Sequence, residues 1–407
     1  MTGYLPAAPR LERGPESAPG KARIRSLLAE AEPQLIGEVA RLGMGRTDHI
    51  ALWYGEGDMP TPRFICDAAH EAMLAGETFY THKRGLPELQ AALGTYLSGL
   101  YGADIASDRV TVTSSGMHGI LTAMQAILQA GDNAALVGPV WPNAEATVKS
   151  AGAEARVVGL DNENGVWRLD LQKLFAATDD ATRIIFVNSP GNPTGWMLER
   201  EEQQAILDFA RARGIWIMAD EVYARLVYDR AVAPSFLELA EPDDPVVVVN
   251  SFSKSWAMTG WRVGWLTHPP WVGEAFAELI EYSTSSVPPF LQRAAITAVT
   301  EGEGLVADVL ERCRQGREIV VPALAAHSRV TMAPPKAAFY AFFQVEGMND
   351  SLEWAKQLYR ETSVGVAPGR AFGPAGEGWI RLCFASSPQA LETAMERITG
   401  FLDKTTT

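Results

Sequence analysis

Lys254 lies between small hydroxyl residues in Ser251-Phe252-Ser253-Lys254-Ser255 and is followed by Gly260-Trp261-Arg262-Val263-Gly264. The apolar run Val246-Val247-Val248-Val249 just before it reads as a buried strand, so the lysine is delivered to that strand's end. An amine in such a place is costly unless it does chemistry, usually as a nucleophile or Schiff-base lysine. Serine hydroxyls and Arg262 are what a phosphate beside that amine would need. A lone Ser-x-Ser-Lys would sooner be a strand-end cap, so the weight falls on the other polar groups. Those groups also follow apolar runs: Ser114-Ser115-Gly116, the stretch from Asn188 to Gly195, and Asp220-Glu221.

The elements that must hold these residues alternate. Strands are expected over residues 110–113, 134–137, 155–158, 184–187, 216–219, 246–249 and 263–266, with helical patterns such as 119–129 and 201–213 between them. That alternation predicts an α/β layer with a mostly parallel seven-stranded sheet flanked by helices. Ligands of such sheets bind at the carboxyl ends of the strands, where these residues sit. After Pro289 the pattern changes to a long helix near 303–325, strands near 330–332, 338–344 and 379–384, and helices near 352–361 and 389–402. The expected division is a flexible arm over 1–20, a large cofactor-binding domain over 56–295, and a smaller α+β domain from 21–55 with 296–407.

Composition narrows the function. A chain of 407 residues with 47% hydrophobic and 21% charged residues fits a soluble enzyme with a large core. A net charge of −14 argues against nucleic-acid binding, and no apolar run reaches bilayer length. The first residues lack a basic segment followed by an apolar core, so no secretory signal is read there. Cys66, Cys313 and Cys383 are few and far apart, as in a reducing, cytoplasmic compartment. The six histidines fall at no metal-ligand spacing, and Asp161-Asn162-Glu163-Asn164-Gly165 reads as a turn, so no metal is expected.

No Gly-x-Gly-x-x-Gly follows a strand, and no phosphate-loop lysine motif is present. The chain instead carries Pro139-Val140-Trp141-Pro142-Asn143, Asn188-Ser189-Pro190-Gly191-Asn192-Pro193-Thr194-Gly195 and Ala219-Asp220-Glu221-Val222-Tyr223. The Lys254 motif and Trp379-Ile380-Arg381-Leu382 follow. In this order and spacing the motifs resemble the class I aminotransferases, pyridoxal-phosphate enzymes of the aspartate-aminotransferase fold. Tyr54-Gly55-Glu56-Gly57-Asp58 and Tyr80-Thr81 before Gly85-Leu86-Pro87 extend the resemblance, which runs from about Trp53 to Phe384.

The resemblance implies roles. Lys254 carries pyridoxal 5'-phosphate as a Schiff base, and its freed amine moves the substrate proton. Asp220 pairs with the pyridine nitrogen and keeps it protonated, which makes the ring an electron sink. Its neighbour Glu221 is expected to face away. Tyr223 and Asn192 bond the phenolic oxygen, and Trp141 stacks on the ring. Ser115, Gly116 and Met117 open a helix whose N–H groups and dipole suit the phosphate. Ser251 and Arg262 add side-chain contacts there, Ser253 assists, and Tyr80 arrives from the neighbouring subunit of a homodimer. Arg381 grips the substrate's α-carboxylate, helped by the backbone of Gly55 and bordered by Asn192 and Trp141. Dicarboxylate-specific members use a second arginine from the partner, but residues 283–289 contain none. Trp53, Phe372 and the Lys83–Arg84 pair are further candidates for the substrate's side-chain pocket, and His118 has no assigned role. Gly138–Pro139 and Asn192–Pro193 are expected to be cis.

The implied reaction is ping-pong transfer of an amino group from an α-amino acid to a 2-oxo acid. A C–S lyase or other eliminase on the same scaffold needs the same Lys254, Asp220 and Arg381. A non-catalytic effector domain would need a DNA-binding unit ahead of the fold, for which the N-terminal arm is too short and too little basic.

Overall fold

The computed structural model describes residues 34–163 and 165–404. The expected arm over 1–20, and residues 21–33, lie outside the described residues.

Apolar runs rich in β-branched residues form the larger sheet. Its strands are β1 (Val110–Thr113), β2 (Asn133–Gly138), β3 (Glu154–Gly159), β4 (Thr182–Asn188), β5 (Trp216–Asp220), β6 (Val246–Ser251) and β7 (Gly264–Thr267). They lie in the order β1-β7-β6-β5-β4-β2-β3. Strand β7 runs antiparallel to β1 and β6, and the remaining pairs are parallel. Val246 to Val249 are all buried, as expected where helices cover both faces and neither face can be polar.

Helix α1 (Gly116–Ile127) begins three residues before the expected 119–129 pattern. The Ser115 hydroxyl accepts a hydrogen bond from His118 N at 3.0 Å and caps the helix ahead of its apolar face. The helix Arg200–Arg213 has a capping box from Glu199 and Glu202 and ends at Gly214, left-handed with φ 65°.

The second sheet holds β8 (Val330–Met332), β9 (Tyr340–Val345), β10 (Ala367–Pro368) and β11 (Trp379–Cys383). It is antiparallel, in the order β8-β9-β11-β10. Strand β10 was not expected, because two residues carry no periodicity. The helices Glu303–Ala325, Ser351–Thr362 and Pro388–Lys404 accompany this sheet. Ile50 and Ala51 pair in parallel with Val364 and Gly365, which ties the segment before Gly55 to the C-terminal part of the chain. One apolar cluster includes Val112 and Val248 of the first sheet and Phe342 and Leu382 of the second. The expected turn after Asp161 joins a short hairpin, Asp161–Glu163 with Val166–Arg168. Gly138–Pro139 and Asn192–Pro193 are cis as expected, and so is Ser189–Pro190.

Candidate active site

The parallel strands end with polar residues side by side: Asn188 on β4, Asp220 on β5 and Ser251 on β6. A cavity of about 240 Å³ opens there. It is lined by Gly55, Gly116, Met117, Trp141, Asn192 and Asp220, and also by Tyr223, Ser251, Ser253, Lys254, Arg262 and Arg381. Strand ends 32 and 31 residues apart in sequence thus bring almost every expected site residue to one place.

Lys254 is half-buried beyond the end of β6, and its Nζ donates to the Gly55 carbonyl. The amine lies 5.8 Å from the Tyr223 ring centre and 5.9 Å from that of Phe339. Burial lowers its pKa to about 8, because the charged ammonium has lost its water. Asp220 carries the opposite charge problem. Its carboxylate accepts only the Val222 N–H, at 3.3 Å, and burial raises its pKa to about 7. Glu221 turns away, as expected, and is bonded to Ser235 Oγ at 2.7 Å and Phe236 N at 3.2 Å.

The start of α1 lies against Gly264. A Cβ on that glycine would come within 2.6 Å of Gly116 N and 2.8 Å of Asn250 O, so only a glycine lets helix and strands approach this closely. Ser251 Oγ accepts from Ser253 N at 3.1 Å and lies 2.8 Å from Ser253 Oγ. Arg262 is held in the left-handed region, φ 55° and ψ 59°, with Nη1 donating to Thr259 O at 2.6 Å. A non-glycine residue pays in backbone strain for that conformation, a pattern concentrated at functional sites.

Arg381 projects from β11 and is 2% exposed. Its Nη1 donates to Asn192 Oδ1 at 3.1 Å and its Nη2 to the Trp53 carbonyl, while its Nε has no partner. The guanidinium lies over the rings of Tyr340 and Phe372, at 4.7 and 4.9 Å. Asn192 N is bonded to Asn188 Oδ1 at 2.8 Å, so Asn192 is fixed from both sides and its Nδ2 donor is left for the cavity.

Some candidates lie elsewhere. The side chain of Ser115 serves as the helix cap and does not line the cavity. Tyr80 is 89% exposed and outside it. Trp53 reaches the site only through its carbonyl, because its ring packs on His49 and Tyr359. Phe372 touches Arg381 without lining the cavity. Lys83 pairs with Glu278 at 3.1 Å, and Arg84 is buried against Thr111 Oγ1 and Val110 O at 3.0 and 3.2 Å. His118 has a structural place: Nδ1 accepts from Ser114 N at 3.2 Å and Nε2 lies 2.9 Å from Ser283 Oγ. Burial lowers its pKa, which favours the neutral ring that this bonding needs.

Sequence reasoning missed Tyr340, which is fully buried and lines the cavity with its hydroxyl 2.7 Å from that of Tyr223. Within the run Phe339-Tyr340-Ala341-Phe342-Phe343 it reads as one more core aromatic, and the phenol was its only signal.

The residues fit pyridoxal phosphate. Among the described residues Lys254, Arg262 and Arg381 form no ion pair with a carboxylate, and Asp220 forms none with a cation. Asp220 and Arg381 are buried and Lys254 is half-buried, and charges so placed without partners are costly, while Arg262 stands exposed at the cavity wall. A ligand with an aldehyde, a basic ring nitrogen and a phosphate, together with a carboxylate substrate, would meet all four. The described residues hold no cluster suited to a metal.

Comparison with known proteins agrees. Residues 49–398 match the family model described as aminotransferase class I and II. The chain is 34% identical to an aspartate aminotransferase of Pyrococcus horikoshii, over 88% of this chain and 91% of the relative. It is 31% identical to aromatic-amino-acid aminotransferase 2 of Thermococcus litoralis, over 91% of this chain and 96% of the relative. The solved structure of an aspartate aminotransferase from Thermotoga maritima superimposes with a TM-score of 0.85 at 31% identity, covering 93% of this chain and all of that one (100%). The chain therefore belongs to the class I and II aminotransferase family, and it is a pyridoxal-phosphate-dependent aminotransferase.

Proposed function

We propose that the cavity binds pyridoxal phosphate and an α-amino acid with an uncharged side chain, whose amino group passes to a 2-oxo acid in two half-reactions. The convergence of Lys254, Asp220 and Arg381 on one cavity carries this reading. When bound, the cofactor supplies an aldehyde for amines and a ring that draws electrons from the substrate's α-carbon.

Lys254 holds the cofactor through Nζ. Its pKa of about 8 leaves a useful neutral fraction near that pH, so the freed amine can take the α-proton and return it. Asp220 meets the ring nitrogen and keeps its proton in place. Tyr223 and Asn192 donate to the phenolic oxygen, and Trp141 covers the ring. The backbone at Gly116 and Met117, with Ser251, Ser253 and Arg262, binds the phosphate. Arg381 binds the α-carboxylate with its planar fork. Asn192 and the Trp53 carbonyl hold that fork in place.

Those roles use every cation that lines the cavity among the described residues. Lys83 and Arg84, the nearby alternatives, are engaged elsewhere. The rest of the wall includes Ile36, Tyr54 and Tyr340, which suits an apolar or aromatic donor. The three free cysteines support a cytoplasmic setting.

The test has two arms. Borohydride reduction of the holoenzyme followed by peptide mapping should place the pyridoxyl label on Lys254, and Lys254→Ala should lose transamination by about 10³-fold or more. A label on another lysine rejects the mechanism. Donors are then compared by bleaching of the cofactor absorbance. A preference for aspartate rejects the donor assignment and leaves the transaminase reading standing. Release of ammonia and pyruvate from cystathionine without an acceptor indicates the lyase instead.

A further inference from the structure

Tyr340 stands where the two halves of the site meet. It begins β9 in the second sheet, whereas Tyr223 follows β5 in the first. Their hydroxyls are 2.7 Å apart and their rings meet edge-on, with centres 5.7 Å apart. The Arg381 guanidinium lies 4.7 Å from the Tyr340 ring centre, with Phe372 as its second aromatic neighbour at 4.9 Å. The hydroxyl also fills the space beside Gly55, where a Cβ would come within 2.2 Å of it. One buried side chain therefore touches the tyrosine on the cofactor side, the arginine on the carboxylate side, and the backbone whose carbonyl holds Lys254.

Two phenols at hydrogen-bond distance share one proton between their oxygens. If Tyr223 donates to Tyr340, its proton is spent inside the protein. If Tyr340 donates to Tyr223, the Tyr223 proton is free to point into the cavity. The second arrangement is the one that lets Tyr223 donate to an anionic oxygen there. The cationic Arg381 beside the Tyr340 ring favours it, because a nearby positive charge makes a phenol a better donor. The same ring gives Arg381 a flat face to lie on, with its Nε unpartnered.

We propose that Tyr340 is a positioning residue that aims the Tyr223 proton into the cavity and holds the Arg381 fork in its binding orientation. The proposal rests on the reading that Tyr223 donates to the cofactor's phenolic oxygen. Tyr340 thereby couples the electronics of the bound cofactor to the seating of the substrate carboxylate.

Tyr340→Phe and Tyr340→Leu separate the two roles. The first keeps the ring and removes the hydroxyl. The holoenzyme is titrated by its visible absorbance, and the midpoint of Tyr340→Phe should rise by about 0.5 pH unit or more, because a weaker donor to the phenolic oxygen raises its proton affinity. Its kcat should fall about tenfold while KM changes less than about twofold. Tyr340→Leu should in addition weaken binding of an α-methyl amino acid, which has no α-proton to lose, by about tenfold or more. Tyr223→Phe is the control: in that background Tyr340→Phe should leave the midpoint where it is. An unchanged midpoint in Tyr340→Phe, or an additive shift in the double variant, overturns the proton-aiming role. Unaltered inhibitor affinity in Tyr340→Leu, or its rescue by no aromatic at this position, overturns the Arg381 role. If Tyr223→Phe alone leaves the midpoint unchanged, the reading of Tyr223 fails, and the proposal fails with it for a distinguishable reason.

Discussion

Asp220 is buried at the end of β5, and no cation among the described residues pairs with it. Its pKa of about 7 comes first from lost solvation, softened by the Val222 N–H and the more distant charge of Lys254. A carboxyl whose folded pKa is raised favours the folded state at low pH, where it keeps its proton, and opposes folding as pH rises through 7. Asp220→Asn should therefore stabilise the cofactor-free protein at pH 8 by about 1–3 kcal/mol, measured by urea unfolding. That gain should shrink as pH falls from 7 toward 4. With cofactor bound the sign reverses, because the amide cannot keep the ring nitrogen protonated, and cofactor retention and turnover should both fall. Equal stability of the two cofactor-free proteins at pH 8 rejects this account of the site's electrostatics.

The elements around the phosphate end are held by close backbone approach. Helix α1 starts against Gly264 of β7, and Ser251 of β6 lies directly across the ladder from that glycine. The atoms that a new Cβ would strike are Gly116 N, Ser115 C and Asn250 O, all of them backbone, so no side chain can turn aside. Gly264→Ala should push the helix start away from the strands. The expected cost is about 1–3 kcal/mol of stability, with a matching rise in the cofactor dissociation constant. Calorimetry together with a cofactor titration checks both. A variant with native melting temperature and native affinity removes Gly264 from the argument.

For the whole molecule, we propose a homodimer with composite sites. Phe79 and Tyr80 are exposed close together in sequence, and Leu74 and Tyr282 are also largely exposed. Apolar surface of this kind suits a second copy of the chain. Tyr80, outside its own chain's cavity, would add a hydroxyl to the partner's phosphate. Tyr80→Phe should weaken cofactor binding by about 0.5–3 kcal/mol, the range for one hydrogen bond to a charged group. Dilution to monomer should release cofactor. Light scattering alongside turnover checks this, and a monomer that keeps cofactor and full activity overturns the composite site. The companion proposal is a two-part chain, with 56–295 as the large domain and 296–407 joined by the segment before residue 56. The pairing of Ile50 and Ala51 with Val364 and Gly365 supports it.

Much of this protein was determined by local pattern. Buried parallel strands must be apolar on both faces, so β1 to β7 stood out as runs between helical periods, and chemistry-bearing residues such as Lys254 and Asp220 stood out because they interrupt or end such runs. The apolar period marked α1 only from residue 119, because a capping serine and a glycine carry no such period, whereas the family resemblance already placed its opening at Ser115 to Met117. Tertiary structure decided what depends on neighbours distant in sequence. Lys83 and Arg84 were free to enter the substrate pocket until their partners Glu278 and Thr111 were placed beside them. Tyr340 was one aromatic among several until folding set its hydroxyl against Tyr223, 117 residues away, and its ring under Arg381. A residue's type fixes which bonds it can make, but which of them it makes depends on the groups that folding brings within about 3 Å.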